Sequence, residues 1–336
     1  MIASTDRGLY CAAGGFYIDP WRPVDRALIT HAHSDHARPG SSVYVCHADT
    51  APFLRKRLGD VVVELVGYGE RLTRDGVEVS FHPAGHVLGS AQIRVARGGE
   101  VWVASGDYKL ESDGVAKPFE PQRCDTFITE STFGLPIYRW RPQEETYSDI
   151  NGWWRGNAAS GRASVLYAYA LGKAQRVLAH LDASIGPIIC HGAVEPINAL
   201  HRDMGVRLPP TKLVSDIADK SEFRRAMILA PPSAAASPWL KRFGDFSDAL
   251  ASGWMQVRGN RRRRGLDRGF ALSDHADWQG LLAAIAQTGA RRVLATHGSV
   301  GPLTRYLREG GVDAEPLVTA YGDEAEAEAS VVETPD

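Results

Sequence analysis

The sequence predicts an α/β protein in which a smaller α/β domain is inserted into a larger one. Short runs rich in Val, Ile, Leu and Phe stop at polar, metal-competent residues: RALIT at His31, EVWVASG at Asp107, DTFIT at Glu130, RGFALS at Asp274-His275 and RRVLAT at His297. Runs of this length read as buried strands, and functional groups just past strand ends are the recurrent layout of open α/β sites. The middle of the chain has a strand and helix alternation of its own, and 336 residues is about two domains' worth of chain.

The larger domain is expected to begin with residues 1–134. In it RALIT leads into His31, SFHPAGH and SAQIRVA bracket His86, and EVWVASG and DTFIT follow. The insert, 135–267, opens its core with the strand SVLYAYAL and a helix from Lys173 to Leu181 after Gly172. GPIICHG then leads to a helix from Glu195 to Met204, and AMILAP is a further strand. PWLKRF reads as a helix opened by proline in its first turn. The turn-rich stretch from Arg258 to Gly265 ends the insert, and 268–322 return to the larger domain. Ser-Asp-His-Ala occurs at Ser34–Ala37 and again at Ser273–Ala276, but the flanks do not match and no repeat is read.

Composition narrows the class. With 44% hydrophobic and 23% charged residues, the chain is an ordinary globular one, not a disordered, collagenous or disulfide-stapled sequence. No run approaches the ~18–20 apolar residues of a membrane span, and the N-terminus lacks the apolar core of a secretory signal. Cys11, Cys46, Cys124 and Cys190 stand far apart with no CxxC pair, which reads as reduced thiols in a cytoplasmic protein. The net charge of −2 hides an asymmetry: the insert is net basic and the remainder net acidic. Six acids and no Lys or Arg lie between Asp323 and Asp336, so 323–336 is expected to be a disordered acidic tail.

The strongest chemical signal is His31-Ala32-His33-Ser34-Asp35-His36. Three imidazoles and a carboxylate within six residues can serve two adjacent metal positions; nitrogen and carboxylate oxygen suit zinc, and also manganese or iron. One loop cannot close two sites, and His86, Asp107 and His297, each at the end of an apolar run, are the candidates to complete them. GxSxG is absent and no cysteine sits in a triad context, so nothing calls for a covalent intermediate. His47, His82, His180, His191 and His201 read as structural or surface residues.

Asp19, His31/His33/Asp35/His36, His86 and Asp107, in that order, resemble the metallo-β-lactamase fold superfamily. Glu130-Ser-Thr-Phe, Ser-Asp-His275-Ala-Asp and Thr-His297-Gly resemble its β-CASP nuclease branch, and LSDHADWQGLL with its arginine-rich lead-in looks most like bacterial ligase-associated DNA exonucleases. The resemblance implies a metallo-β-lactamase αββα sandwich carrying an inserted α/β β-CASP domain. It implies two divalent ions, zinc first and manganese second. His31, His33 and His86 would hold one ion, Asp35, His36 and His297 the other, and Asp107 would bridge them. Asp19 would orient ligands from behind. Asp35, His275 and Glu130 would be catalytic, with His275 as general acid and Glu130 orienting it. The implied reaction is phosphodiester hydrolysis by a DNA exonuclease in end processing or repair.

The basic insert suits a polyanionic substrate. Arg258, Arg261, Arg262, Arg263 and Arg264 form the densest cluster, and Arg139-Trp140-Arg141 and Trp153-Trp154-Arg155 offer aromatic faces beside cations. Leu171-Gly172-Lys173-Ala174-Gln175 resembles a β-CASP motif at a helix start, which implies that Lys173 and the free amides there meet a phosphate. The resemblance implies single-stranded or end-containing DNA as substrate, with an ATP-dependent DNA ligase and a helicase acting in the same pathway; no membrane partner is expected. An RNA-processing ribonuclease is the alternative, because in the family RNA-processing members carry histidine where His297 stands and eukaryotic DNA-repair members usually carry valine. A small-molecule metallo-hydrolase and an inactive nucleic-acid-binding subunit are further readings. The basic insert argues against the first and the complete ligand set against the second.

Overall fold

The computed structural model describes residues 1–320 except 236, 258 and 261–263. The chain divides into two compact units, one made of residues 1–139 with the segment returning from His275, the other of residues 140–274. These boundaries fall a few residues beyond the expected 134/135 and 267/268, for identifiable reasons. The Tyr138 ring packs edge-on against Phe133 (4.8 Å) and its carbonyl accepts the Trp278 N–H, so this segment belongs with the first unit. At the other end, the strand Arg268–Phe270 pairs with Ala249–Ala251 inside the second unit.

In the first unit, one sheet runs in sequence order: β1 (Ile2–Ser4), β2 (Leu9–Cys11), β3 (Phe16–Ile18), β4 (Arg26–Ile29), β5 (Val43–His47) and β6 (Val63–Val66). Helix α1 (Ala51–Leu58) links the last two. A second sheet collects β7 (Arg71–Arg74), β8 (Val77–Pro83), β9 (Ala91–Arg97), β10 (Glu100–Ala104) and β11 (Thr126–Glu130). The return segment adds β18 (Arg292–Thr296) and β19 (Asp313–Pro316), giving the order β19-β18-β11-β10-β9-β8-β7. Alternation along these strands sets two packing layers. Trp102, Ala104, Ile128 and Leu294 turn toward Leu9, Phe16, Leu28 and Val45 of the first sheet. Val103, Phe127, Val293 and Ala295 turn the other way, onto the helices Trp278–Thr288 and Val300–Glu309. Strands buried on both faces lose the polar alternation of an exposed sheet, which explains the adjacent apolar residues at their centres, Val101–Ala104, Phe127–Ile128 and Val293–Ala295.

The second unit carries helix α2 (Gln143–Ala159) and a six-stranded parallel sheet ordered β14-β13-β15-β12-β16-β17. Its strands are β12 (Ala163–Tyr167), β13 (Ile188–Cys190), β14 (Lys212–Leu213), β15 (Met227–Ala230), β16 (Phe246–Ala251) and β17 (Arg268–Phe270). Helices α3 (Lys173–Leu178) and α4 (Glu195–Asp203) stop slightly short of their expected ends. PWLKRF forms only a short 3₁₀ segment, Pro238–Phe243, stopped by Gly244 at φ +67°. Trp153 and Trp154 are core residues of α2, packed with Leu166, Met227 and Phe270, and the Trp154 indole donates to the Arg225 carbonyl. They therefore offer no face to a nucleic acid. The tail 323–336 lies outside the described residues. Among the described residues, no helix is long and apolar enough to cross a membrane.

Trp154 is fully buried, so Trp154→Ala should destabilise the protein by about 3–5 kcal/mol, the usual cost of truncating a core aromatic. Urea unfolding measures this; a loss below ~1 kcal/mol would remove Trp154 from the load on this core.

Candidate metal centre

Strand register brings the candidate residues to one edge of the first unit. β10, β11 and β18 run parallel, with Ala104 opposite Ile128 and Glu130 opposite Thr296. Asp107, Glu130 and His297 therefore leave the same end of three neighbouring strands. From the first sheet, β4 delivers the His31–His36 loop, and the Ala91 N–H at the start of β9 bonds the Thr30 carbonyl. The residues after β8 present His86, whose turn is held by Ser90 Oγ accepting from the His86 and Val87 N–H groups (3.1 and 3.2 Å).

One carboxylate oxygen organises the cluster. Asp107 Oδ2 lies 3.4 Å from His31 Nε2, 3.3 Å from His36 Nε2 and 3.8 Å from His86 Nε2. His33 Nδ1 faces His86 Nε2 at 3.1 Å. Two donor sets lie around Asp107, each with ligand atoms mutually within 4.8 Å: His31, His33, His86 and Asp107; and Asp35, His36 and His297. Further sets adjoin them. The His36 and His297 rings stack at 5.2 Å, and Asp35 Oδ2 stands 3.6 Å from His36 Nε2. Atoms bound at about 2.0–2.1 Å around a tetrahedral ion stand about 3.4 Å apart, close to the spacings around Asp107. His31 Nε2 and Asp107 Oδ1 are buried and make no hydrogen bond. Buried polar atoms are normally satisfied, and a divalent cation would satisfy both of these. The donor set and its spacing fit a metal.

A layer of hydrogen bonds orients these groups. Asp19 is buried at φ +41°, a left-handed conformation uncommon outside glycine. Its Oδ1 accepts the Thr30 N–H (2.8 Å); its Oδ2 accepts the Thr30 hydroxyl (2.5 Å) and faces His36 Nδ1 (2.8 Å). Thr30 Oγ1 also lies 3.1 Å from His31 Nδ1. His297 is likewise left-handed, at φ +57°. Gly106 at φ +56° lets the chain approach Thr30, where a Cβ would lie 2.6 Å from the threonine side chain. Strained backbone at site residues persists only when the surroundings over-determine it.

Electrostatics follow from burial and crowding. Burial, reinforced by the His36 charge, holds His31 well below the usual imidazole range, the neutral form that a metal requires. Burial opposes charge on His36 as well, but Asp107 and Asp35 hold it well above that range. Burial would raise Asp107, yet His36 and His31 keep it well below the usual carboxylate range.

A second pair adjoins the cluster. His275 Nδ1 lies 2.8 Å from Glu130 Oε2, and Glu130 Oε1 accepts the Tyr108 N–H at 2.7 Å. Burial pushes the Glu130 carboxyl up, with His275 opposing. The His275 and His86 rings lie 4.6 Å apart, and Asp107, Glu130 and His275 offer donor atoms within 4.8 Å of one another.

The candidates on the second unit fare differently. Lys173 is buried, and its ammonium lies 3.1 Å from the buried Asp274 carboxylate and over the Tyr169 ring. That is a correction: a lysine committed to an internal carboxylate is not presented to a phosphate backbone. Arg258 and Arg261–Arg263 lie outside the described residues, and Arg264 is half-buried. Thr30, Ser90 and Tyr108 were not singled out from sequence. Thr30 could have been suspected from its place directly before His31, but hydroxyls and backbone N–H groups carry no spacing signal.

No family model matches the chain. It is 32% identical over 333 residues to a "Probable DNA ligase" of Opitutus terrae, covering 98% of this chain and 32% of that protein. It is 28% identical over 219 residues to "Cleavage and polyadenylation specificity factor subunit 3-I" of Arabidopsis thaliana, covering 53% of this chain and 31% of that one. It is 32% identical over 195 residues to "Endoribonuclease YSH1" of Yarrowia lipolytica, covering 47% and 23%. The chain thus spans about a third or less of the length of these curated relatives. A crystal structure of a protein of unknown function from Enterococcus faecalis V583 superposes with a TM-score of 0.57 over 89% of this chain and 80% of that one, at 12% identity, which is a likeness of fold alone.

Asp107 faces both donor sets, whereas His33 belongs to one. Asp107→Ala should therefore strip all tightly bound divalent metal, and His33→Ala should remove about half. Elemental analysis after dialysis checks this; equal retention in both variants would place the metal elsewhere.

Proposed function

We propose that the chain is a metal-dependent phosphodiesterase acting on nucleic acid, with DNA ends as its substrate: an exonuclease of end processing or repair. The carrying observation is the adjacency of the Asp107-centred donor cluster to the buried Glu130–His275 pair. His31, His33 and His86 would hold one ion, Asp35, His36 and His297 a second, with Asp107 between them; zinc suits the donors best and manganese next. Ions bound there would supply Lewis-acid charge against the negative charge developing on the phosphodiester and would acidify the attacking water.

The chain's own groups do the rest. Asp35, with 26% of its side chain accessible against 4% for Asp107, is the carboxylate that an entering water meets first. Asp19 keeps the His36 ring oriented through Nδ1. Glu130 engages His275 Nδ1, so the ring's other nitrogen, Nε2, carries the proton to the leaving oxygen. Arg258 and Arg261–Arg264 would track the phosphate backbone, and a DNA ligase and helicase would act in the same pathway.

DNA is favoured because the relative aligned over 98% of this chain is the one named a DNA ligase. RNA is the second reading: the Yarrowia relative is named an endoribonuclease, and His297 matches the family's RNA-processing members. End-labelled single-stranded DNA and RNA of equal length, incubated with zinc or manganese, separate them. Mononucleotide release from DNA alone supports the first reading, and cleavage of RNA alone overturns it.

His275→Ala should keep its metal and lose about 10²–10⁴-fold in rate on nucleic acid. It should lose much less on bis-p-nitrophenyl phosphate, whose leaving group needs no proton. Equal losses on both substrates would make His275 structural. Replacing Arg261–Arg264 with alanine should reduce the slope of log affinity against log salt for single-strand binding by about 0.7 per lost phosphate contact, with metal content unchanged; a wild-type slope would move the nucleic-acid path elsewhere.

A further inference from the structure

The two loops that supply most of the donors come from different sheets, and helix α1 touches both. At its start, Thr50 Oγ1 donates to the Gly89 carbonyl at 2.7 Å. Gly89 closes the turn that presents His86, and it is held so close that a Cβ there would lie 2.5 Å from the Thr50 nitrogen; its φ of +80° also favours glycine. Near the end of the helix, Arg57 Nη1 donates to the Ala32 carbonyl at 2.6 Å and to the Ala37 carbonyl at a longer 3.4 Å. Ala32 lies between His31 and His33, and Ala37 follows His36. One guanidinium nitrogen thus spans the loop carrying four donors. Seven residues of helix set these two attachments about 10 Å apart along its axis.

The His31–His36 loop has irregular backbone, and its buried carbonyls need partners. Irregular segments open locally at low cost unless tied down, and a site displaced by about 1 Å works poorly. Arg57 is solvent-accessible and contributes nothing to a core cluster, so its bonds to the loop are its evident structural task. Burial of its head works against its charge, and the Asp35 carboxylate counteracts that.

We infer that helix α1 is a strut holding the two ligand loops in register, with Arg57 and Thr50 as positioning residues for the metal centre. The inference rests on the metal reading above but not on nuclease activity. Arg57 acts on a loop that serves both donor sets, whereas Thr50 acts through the His86 turn, which serves one.

Zinc titration of the metal-free full chain against a chromogenic chelator reads the affinity of each equivalent, and the visible spectrum of the cobalt form reads ligand geometry. Arg57→Met should weaken both equivalents, by about 10–100-fold as for other groups that support metal ligands from behind, and should alter the cobalt spectrum. Thr50→Val, which keeps shape and loses the donor, should weaken one equivalent only. Arg57→Lys, a single-point donor, should fall between wild type and Arg57→Met. Wild-type affinity and spectrum in Arg57→Met, even with a lowered melting temperature of the metal-free protein, would make the contact merely structural and overturn the inference. Should Arg57→Met fail to fold, wild-type affinities in both Thr50→Val and Arg57→Lys would overturn it equally. A wild-type protein that binds divalent metal and cleaves no nucleic acid would sink the nuclease proposal and leave the strut standing; one that binds no metal would sink both.

Discussion

A buried carboxylate oxygen facing three imidazole nitrogens within 3.8 Å is the constraint on which the first unit turns. Burial penalises charge on every member of that group, and crowding sets the imidazoles against one another. The protein holds the cluster with polar contacts that converge from behind: Asp19 and Thr30 on His36 and His31, and Glu130 on His275. Each of those supporting groups is itself buried and bonded, so the cost of the arrangement is spread through the sandwich. A cation at the centre would convert the crowding from repulsion into shared attraction.

Sheet register makes the arrangement possible. Three parallel neighbours, β10, β11 and β18, end within two residues of one another, so residues more than 160 apart in sequence meet at one edge. Residues of the same strands that alternate inward and outward lock the two layers, one against the first sheet and one against helices. A slip of one residue in any of these strands would exchange the layers and turn its terminal functional group away. Packing and chemistry are therefore specified by the same register.

The left-handed conformations at Asp19 and His297 fit this picture. Both residues follow a strand and must turn sharply to point inward, and both are held by neighbours. Asp19 is held through Thr30. His297 is held through its carbonyl, bonded by Ser131 Oγ, and by Gly298, which sits against the Thr132 backbone. The helix α1 contacts to the Ala32, Ala37 and Gly89 carbonyls belong to the same class of support, acting on backbone instead of side chains.

The residue types and order of the candidate site were legible because metal-competent groups at the ends of apolar runs are a local pattern. The α/β class was legible because strands buried on both faces carry adjacent apolar residues at their centres. Burial of individual polar and aromatic residues was not. Lys173 read as a phosphate ligand, and Trp153-Trp154 was open between a stacking surface and core; the first is buried against Asp274 and the pair fills the core of the second unit. A lysine or tryptophan has the same letter in either setting, and only the packing of α2 and α3 on the parallel sheet decides between them. The unit boundaries shifted for the same reason, since strand pairing at Arg268–Phe270 and the Tyr138 contacts are long-range. Sequence alone determined which groups could do chemistry. Tertiary structure decided which of them meet, because a contact such as that between His31 and Asp107 depends on the register of two sheets and not on any neighbouring residue.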